Sequence, residues 1–155
     1  MGTFPLHTDL AHWALPPRYL LLRCVVGSSD VFTHILSWTP IVKLIGTAVL
    51  RKAVLAARRR RIGYSGLVRA MSHYHGTEVL RWDPIFLRPV NHHAQALASA
   101  MLDSAWNHDV VKILLDRPGD ILIIDNWRIL HGRGEVSPQS TARHIDRVYL
   151  SEVFQ

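Results

Sequence analysis

Cysteine is nearly absent from this chain. Cys24 stands alone among 155 residues, so no intrachain disulfide can form and the redox compartment is left open. A reducing cytoplasm is the simplest setting and is the expectation here. Long apolar runs are missing as well. The most apolar stretch, Ile41 to Ala57, is interrupted by Lys43, Arg51 and Lys52, which argues against a membrane span. The sequence does not open on a basic segment followed by an apolar run, so no secretory leader is expected. Internal repeats and low-complexity tracts are also lacking, which excludes solenoids and disordered arrays. Acidic residues are in deficit: 12 Asp and Glu face 18 Lys and Arg, for a formal charge of +6. That balance suits anionic small molecules, and weak nonspecific attraction to nucleic acid. The Arg58 to Arg61 run reads as a solvated helix end. No nucleic-acid motif accompanies it, so nucleic acid is not an expected partner.

What is present suits one globular domain over residues 1–155, with 48% hydrophobic and 19% charged residues. Residues 4–15 read as extended, ending at Pro16-Pro17. Residues 18–26 form a β-rich apolar run closed by the turn signal Gly27-Ser28-Ser29-Asp30. The Leu, Ala, Lys and Arg content of residues 41–61 predicts a helix with Pro40 in its first turn, stopped by Gly63 and Gly66. A helical insert is therefore expected at about 41–75. A strand is expected at 78–82 and a helix at 92–106 with Asn91 as N-cap. Strands at 110–115 and 120–125 flank the turn Asp116-Arg117-Pro118-Gly119. A last strand is expected at 143–150. The fold class is mainly β with inserted helices.

Two short segments at opposite ends carry the chemistry. One is His7-Thr8-Asp9. The other is Asp125-Asn126-Trp127-Arg128-Ile129-Leu130-His131-Gly132-Arg133, trailed by Arg143 and Arg147. Two histidines and one carboxylate form the donor set that holds iron(II) while leaving coordination positions open. Alternate side chains of a strand share a face, so His7 and Asp9 can aim at one ion while Thr8 points away. His131 follows the apolar run Ile121 to Ile124, and a rigid buried strand there would deliver it as a ligand. Arg143 and Arg147, four apart, share a strand face, and a guanidinium fork matches a carboxylate with two parallel hydrogen bonds. Arg81-Trp82-Asp83-Pro84 is a candidate wall of a substrate pocket, with Trp82 packed inward. His73, His75, His92 and His93 read as loop or surface positions, and no second metal site is expected.

The same segments resemble the TauD/TfdA-like iron(II)/2-oxoglutarate dioxygenases, the gamma-butyrobetaine hydroxylase branch included. His7-Thr8-Asp9 matches the family's His-x-Asp. Pro16-Pro17 leading into Arg18 to Arg23 is similar, and Pro118 to Arg133 resembles the family's distal-histidine strand and turn. The likeness covers residues 4–26 and 110–150 and is thin over 35–105. It implies a double-stranded β-helix, a jelly-roll barrel. It also implies iron(II) on His7, Asp9 and His131, with 2-oxoglutarate as cosubstrate. Arg143, 12 residues beyond His131, would grip the distal carboxylate of 2-oxoglutarate. Arg147 would share that task or bind an anionic group of the primary substrate. Many members carry Gly-Asp-Thr where this chain has Ser29-Asp30-Val31-Phe32-Thr33. Val31 takes the threonine's position, and Thr33 is the candidate substitute because a shift of two keeps the strand face.

The implied reaction is hydroxylation, with O2, of an aliphatic C–H in a small anionic or zwitterionic substrate. A carboxylate at Asp9 favours hydroxylation over halogenation. Only six residues precede His7. The resemblance therefore implies a barrel incomplete at its N-terminus, whose open edge would suit homo-oligomer formation. The alternative expectation is a truncated, inactive homologue that serves as a binding or interaction module.

Overall fold

The computed structural model describes residues 2–59, 66–102, 106 and 108–152. Its strands are β1 (Phe4–His7), β2 (Tyr19–Val26), β3 (Phe32–Ser37), β4 (Val54–Ala57), β5 (Leu67–Arg69), β6 (Met71–Tyr74), β7 (Thr77–Leu80), β8 (Leu87–Pro89), β9 (Val111–Leu114), β10 (Ile121–Asp125), β11 (Ile129–Arg133) and β12 (His144–Leu150). Its helices are α1 (Trp38–Ile45), α2 (Thr47–Lys52) and α3 (His92–Met101). Two antiparallel sheets form the barrel, one ordered β1-β11-β3-β9 and the other β10-β2-β12. The chain passes between these sheets at β1 to β2, β2 to β3, β9 to β10, β10 to β11 and β11 to β12. This winding is the double-stranded β-helix, a jelly roll, as expected.

Period-two patterning builds the barrel interior. Along β2, Leu20, Leu22 and Cys24 are buried while Leu21, Arg23 and Val25 face outward. With Leu115 and Ile124 they make a core that Ile35, Ile113 and Ile129 close from the facing sheet and Ile145 from the neighbouring strand β12. The opposite face of the first sheet, through Leu36 and Leu130, packs on the segment that joins β3 to β9. Trp38, Ile41, Leu50, Leu55, Leu87 and Leu97 fill that second, larger core. The first core is therefore the lumen of the barrel, and the second anchors the insertion to its wall.

That insertion departs from the expected helix at 41–61. Two short helices stand there, separated at Gly46, whose φ of 85° belongs to the left-handed region that glycine adopts at low cost. Ser37 caps α1 by accepting from the Thr39 amide. After Ala53, residues Val54–Ala57 are not helical. They form β4, which pairs with β5 on one side and β8 on the other. Partners on both edges outweigh the helix preference of Leu and Ala, which local sequence alone does not reveal. Arg58 and Arg59 consequently lie on an exposed bend after a strand, not at a helix terminus. Arg60, Arg61 and Gly63 lie outside the described residues. The insert is thus a mixed unit with its own β5-β4-β8 sheet and β6-β7 hairpin, where a helical insert at about 41–75 was expected.

Other boundaries shift less. The extended stretch 4–15 is strand only to His7 and then turns. The strand expected at 78–82 is Thr77–Leu80. Asn91 does cap α3, accepting from the Ala94 amide at 3.0 Å, and the helix runs to Met101. Part of its expected continuation, residues 103–105, lies outside the described residues. The turn at 116–119 joins strands of different sheets: β9 pairs with β3, and β10 with β2.

Candidate metal centre

The metal-binding geometry begins with one register pair. In the antiparallel ladder of β1 and β11, His7 lies directly opposite His131, and their rings are 4.3 Å apart between centroids. Directly opposed residues of an antiparallel pair bring their side chains together on one face. Here that face is the barrel lumen, because Ile129, His131 and Arg133 alternate with Leu130 and Gly132, which face the insertion. Asp9, two residues beyond His7, swings its carboxylate between the rings. Its Oδ1 is 3.1 Å from His7 Nε2, and its Oδ2 is 3.6 Å from His131 Nε2. One donor atom from each of His7, Asp9 and His131 lies within 4.8 Å of the other two, and all three residues are buried.

The backbone around Asp9 is held by groups the sequence pattern did not single out. Asn126, fully buried, accepts from the Asp9 amide at 2.8 Å. Its side-chain amide donates to the carbonyls of Asp9 at 3.1 Å and Pro17 at 2.9 Å. One side chain thus clamps the proximal segment to the turn before the distal histidine. Thr8 points away from the site, as expected of its position between two inward residues. It exchanges hydrogen bonds with Trp82: its amide donates to the Trp82 carbonyl, and its hydroxyl accepts from the Trp82 amide. Leu10, next in the chain, adopts a φ of 53°, a conformation that leucine seldom takes and that here turns the chain sharply after the ligand candidate.

Electrostatics match a cation-binding role. His7 Nδ1 is 3.0 Å from the Pro5 carbonyl. It donates there, and Nε2 is the ring nitrogen that faces Asp9. Burial lowers the His131 imidazole's affinity for protons and outweighs the opposing pull of Asp9, so the ring is neutral and able to ligate. Burial alone would raise the Asp9 carboxyl. His131, His7 and Arg147 around it prevail and hold it well below the usual carboxylate range. His131 Nδ1 and Nε2 and Asp9 Oδ2 are buried with no hydrogen-bond partner. Unpaired buried polar atoms are costly, and a cation between these three residues would satisfy the ones that face it. The donor set present therefore fits a 2-His-1-carboxylate metal.

Two cavities meet at this cluster. One, of about 570 Å³, is lined by His7, Thr33, His131, Arg133, Arg143 and Arg147, among others. Arg133 and Thr33 face one another across the β11–β3 ladder. Arg143 lies one residue ahead of β12, and burial lowers its guanidinium pKa, with Arg133 adding to the effect. The Nε atoms of Arg133 and Arg143 are both buried without a partner. Val31 is fully buried, and Thr33 rather than Val31 faces this space. Arg133 escaped the sequence argument, although period two from His131 placed it on the same face.

The second cavity, of about 430 Å³, is lined by His7, Asp9, Trp13, Asp83, Phe86, Arg147 and Tyr149 with several neighbours. Arg147 and Tyr149 reach the barrel lumen because they pair with Leu22 and Leu20 of β2, whose side chains face inward. Arg147 borders both cavities, and its Nη1 donates to Asp9 Oδ1 at 3.1 Å. Arg81 braces one wall. It is buried, and it donates to the carbonyls of Ala11, Trp13 and Ala14 at 3.2, 2.6 and 3.2 Å. Burial pulls its guanidinium down to about 10. Of the Arg81 to Pro84 segment, Trp82 is in the core and Asp83 faces the cavity.

No family model matches the chain. It is 26% identical over 148 residues to an L-lysine 3-hydroxylase of Catenulispora acidiphila, covering 86% of this chain and 41% of that protein. Its fold is similar to asparagine oxygenase solved with Fe(II), 2S,3S-3-hydroxyasparagine and succinate. There the TM-score is 0.77 and the identity 18%, over 96% of this chain and 50% of the other. It is similar also to the non-heme iron oxygenase OrfP solved with Fe and alpha-ketoglutaric acid, with a TM-score of 0.68 and 21% identity over 95% and 49% of the two chains. The chain spans about half the length of the proteins it matches.

Proposed function

We propose that this chain carries the metal and cosubstrate site of an iron(II)- and 2-oxoglutarate-dependent oxygenase that hydroxylates a small amino acid. The observation that carries this reading is the buried His7, Asp9 and His131 cluster, with its unpaired donor atoms, opening onto a cavity lined by three arginines. Relatives and fold neighbours with amino-acid substrates or products in their names support the substrate class. They favour amino acids over the betaines of the gamma-butyrobetaine branch.

His7, Asp9 and His131 would hold iron(II). When bound, that ion with 2-oxoglutarate and O2 supplies the oxidising power that replaces a C–H hydrogen by hydroxyl, while 2-oxoglutarate leaves as succinate and carbon dioxide. The protein's own contribution is positioning and exclusion of water. Arg143 grips the far carboxylate of 2-oxoglutarate, with Thr33 and Arg133 completing that end of the cavity. Arg147, half exposed and now paired with Asp9, is free to turn to a carboxylate of the primary substrate. Burial of the triad keeps bulk water from the reacting centre.

The test is anaerobic titration of 2-oxoglutarate into protein with Fe(II), followed by aerobic succinate release with a panel of amino acids. A visible charge-transfer band and substrate-stimulated succinate release are the expected results. A band without turnover would favour a homologue that binds but does not catalyse. No band, with Fe(II) also failing to bind, would sink the proposal.

A further inference from the structure

Residues 80–82, where β7 runs out, touch both halves of the metal centre. The Leu80 amide donates to the Trp127 carbonyl at 3.1 Å, in the turn ahead of His131. Trp82 exchanges hydrogen bonds with Thr8, which lies between His7 and Asp9. Arg81 stands between them, and its own amide is anchored on the Ala70 carbonyl at 2.8 Å. Arg81 is 2% exposed. Its Nη1 donates to the carbonyls of Ala11 and Trp13, and its Nη2 to that of Ala14. A planar guanidinium with donors in fixed directions can satisfy several converging carbonyls at once. Burying it is costly unless those donors are used, so the turn at 11–14 and Arg81 hold each other in place.

Two clamps therefore act on one segment. Asn126 holds the amide and carbonyl of Asp9, and Arg81 holds the carbonyls that follow. Leu10, at a φ of 53°, turns the chain between them. The part that Arg81 holds contains no candidate ligand. It carries His12 and Trp13 into the wall of the 430 Å³ cavity, where the His12 ring lies 5.6 Å from that of Phe86 between centroids. We propose that Arg81 is a positioning residue for the substrate side of the centre: its guanidinium fixes the turn at 11–14, and through it the cavity wall, while iron(II) and 2-oxoglutarate are held without it. The substrate role rests on the amino-acid hydroxylase reading; the bracing of the turn does not.

The experiment compares Arg81→Met and Arg81→Lys with the wild-type protein. Methionine fills much of the same space with no donor. Lysine keeps the charge but offers one nitrogen where the guanidinium uses two. Amide hydrogen exchange, read by mass spectrometry, should quicken by about tenfold or more over residues 10–15 in Arg81→Met. It should quicken less in Arg81→Lys and keep the wild-type rate in β2 and β10. The charge-transfer band with Fe(II) and 2-oxoglutarate should form at unchanged concentrations in both variants. Anaerobic calorimetry on the loaded protein then uses L-lysine, L-arginine and L-asparagine as probes. The probe that wild type binds best should bind about tenfold more weakly to Arg81→Met, with part of the loss recovered in Arg81→Lys. Exchange over 10–15 at the wild-type rate, or quickened equally throughout the chain, overturns the proposal. So does a band lost together with probe binding, or an unchanged probe affinity beside a loosened turn. Should Arg81→Met fail to fold, Arg81→Lys carries the same comparisons. A wild-type protein that binds Fe(II) and 2-oxoglutarate but none of the probes overturns the amino-acid reading and the substrate role with it, while the exchange rates still decide whether Arg81 holds the turn.

Discussion

His7, Asp9 and His131 are adjacent because a backbone pairing and a side-chain clamp converge on them: the β1–β11 register and the Asn126 hydrogen bonds to Asp9. Their chemistry was legible as residue types. Asp9→Ala or His131→Ala should abolish tight Fe(II) binding, while His92→Ala, on the exposed end of α3, should leave it intact. Equal Fe(II) titrations in all three would remove the assignment. Asn126 was in plain view in the motif, yet nothing in its identity announced a bidentate clamp. Asn126→Ala would leave the Asp9 amide and the Asp9 and Pro17 carbonyls unpaired in a buried setting, at about 1–3 kcal/mol for each group left unsatisfied. Because this loosens a ligand's support, Fe(II) affinity should fall by roughly 10–100-fold, measured beside urea unfolding. Wild-type affinity in that variant would show that the clamp is dispensable.

The arginines divide by position. Arg143→Ala should cost 2-oxoglutarate binding on the order of 2–5 kcal/mol, and Arg143→Lys less, since lysine keeps the charge and loses the fork. Iron binding should survive in both variants. Arg147→Ala should instead weaken the coupling of substrate to succinate release. The roles are exchanged if Arg147→Ala removes the charge-transfer band and Arg143→Ala spares it.

Among the secondary elements, β1 is the one whose placement matters most for the site. It carries His7 and lies so close to β11 that a Cβ on Gly132 would come 2.8 Å from the Phe4 carbonyl oxygen and 3.2 Å from the Leu6 nitrogen. Glycine is needed there for backbone approach, and its neighbours in the motif gain their setting from it. Gly132→Ala should destabilise the protein by about 1–3 kcal/mol and weaken Fe(II) binding together with stability, because β1 must move. A thermal scan and an Fe(II) titration on the same sample check this. A loss of stability with full Fe(II) affinity would show that His7 does not depend on the β1–β11 spacing. The failed helix at 54–57 teaches the complementary lesson. Val54 to Ala57 has residues that suit a helix, but β5 and β8 offer hydrogen bonds on both edges, and those partners come from residues more than ten positions away.

At the level of the whole molecule, the outer face of the β10-β2-β12 sheet exposes apolar side chains among the described residues. Register places Ile123, Leu21 and Val148 in one outward row, and Ile123 and Val148 are 46% exposed. The sheet order leaves β12 as an edge, and unpaired edges with apolar faces promote association. We expect concentration-dependent self-association in sedimentation velocity, reduced by Val148→Lys. A monomer at all concentrations would show that this edge is protected in solution. Among the described residues no helix is long and apolar enough to cross a membrane.

Composition and pattern by themselves determined a mainly β fold, the apolar strands β2 and β10, the Asn91 cap and the identity of the candidate donor residues. Each depends on a residue's own chemistry or on neighbours a few positions away. Only the tertiary structure decided that His7 faces His131, that Thr33 meets the arginine cavity and that Arg133 joins it. Those facts follow from strand register and from which partners lie across a sheet or cavity, and residues more than 100 positions apart must meet before either exists.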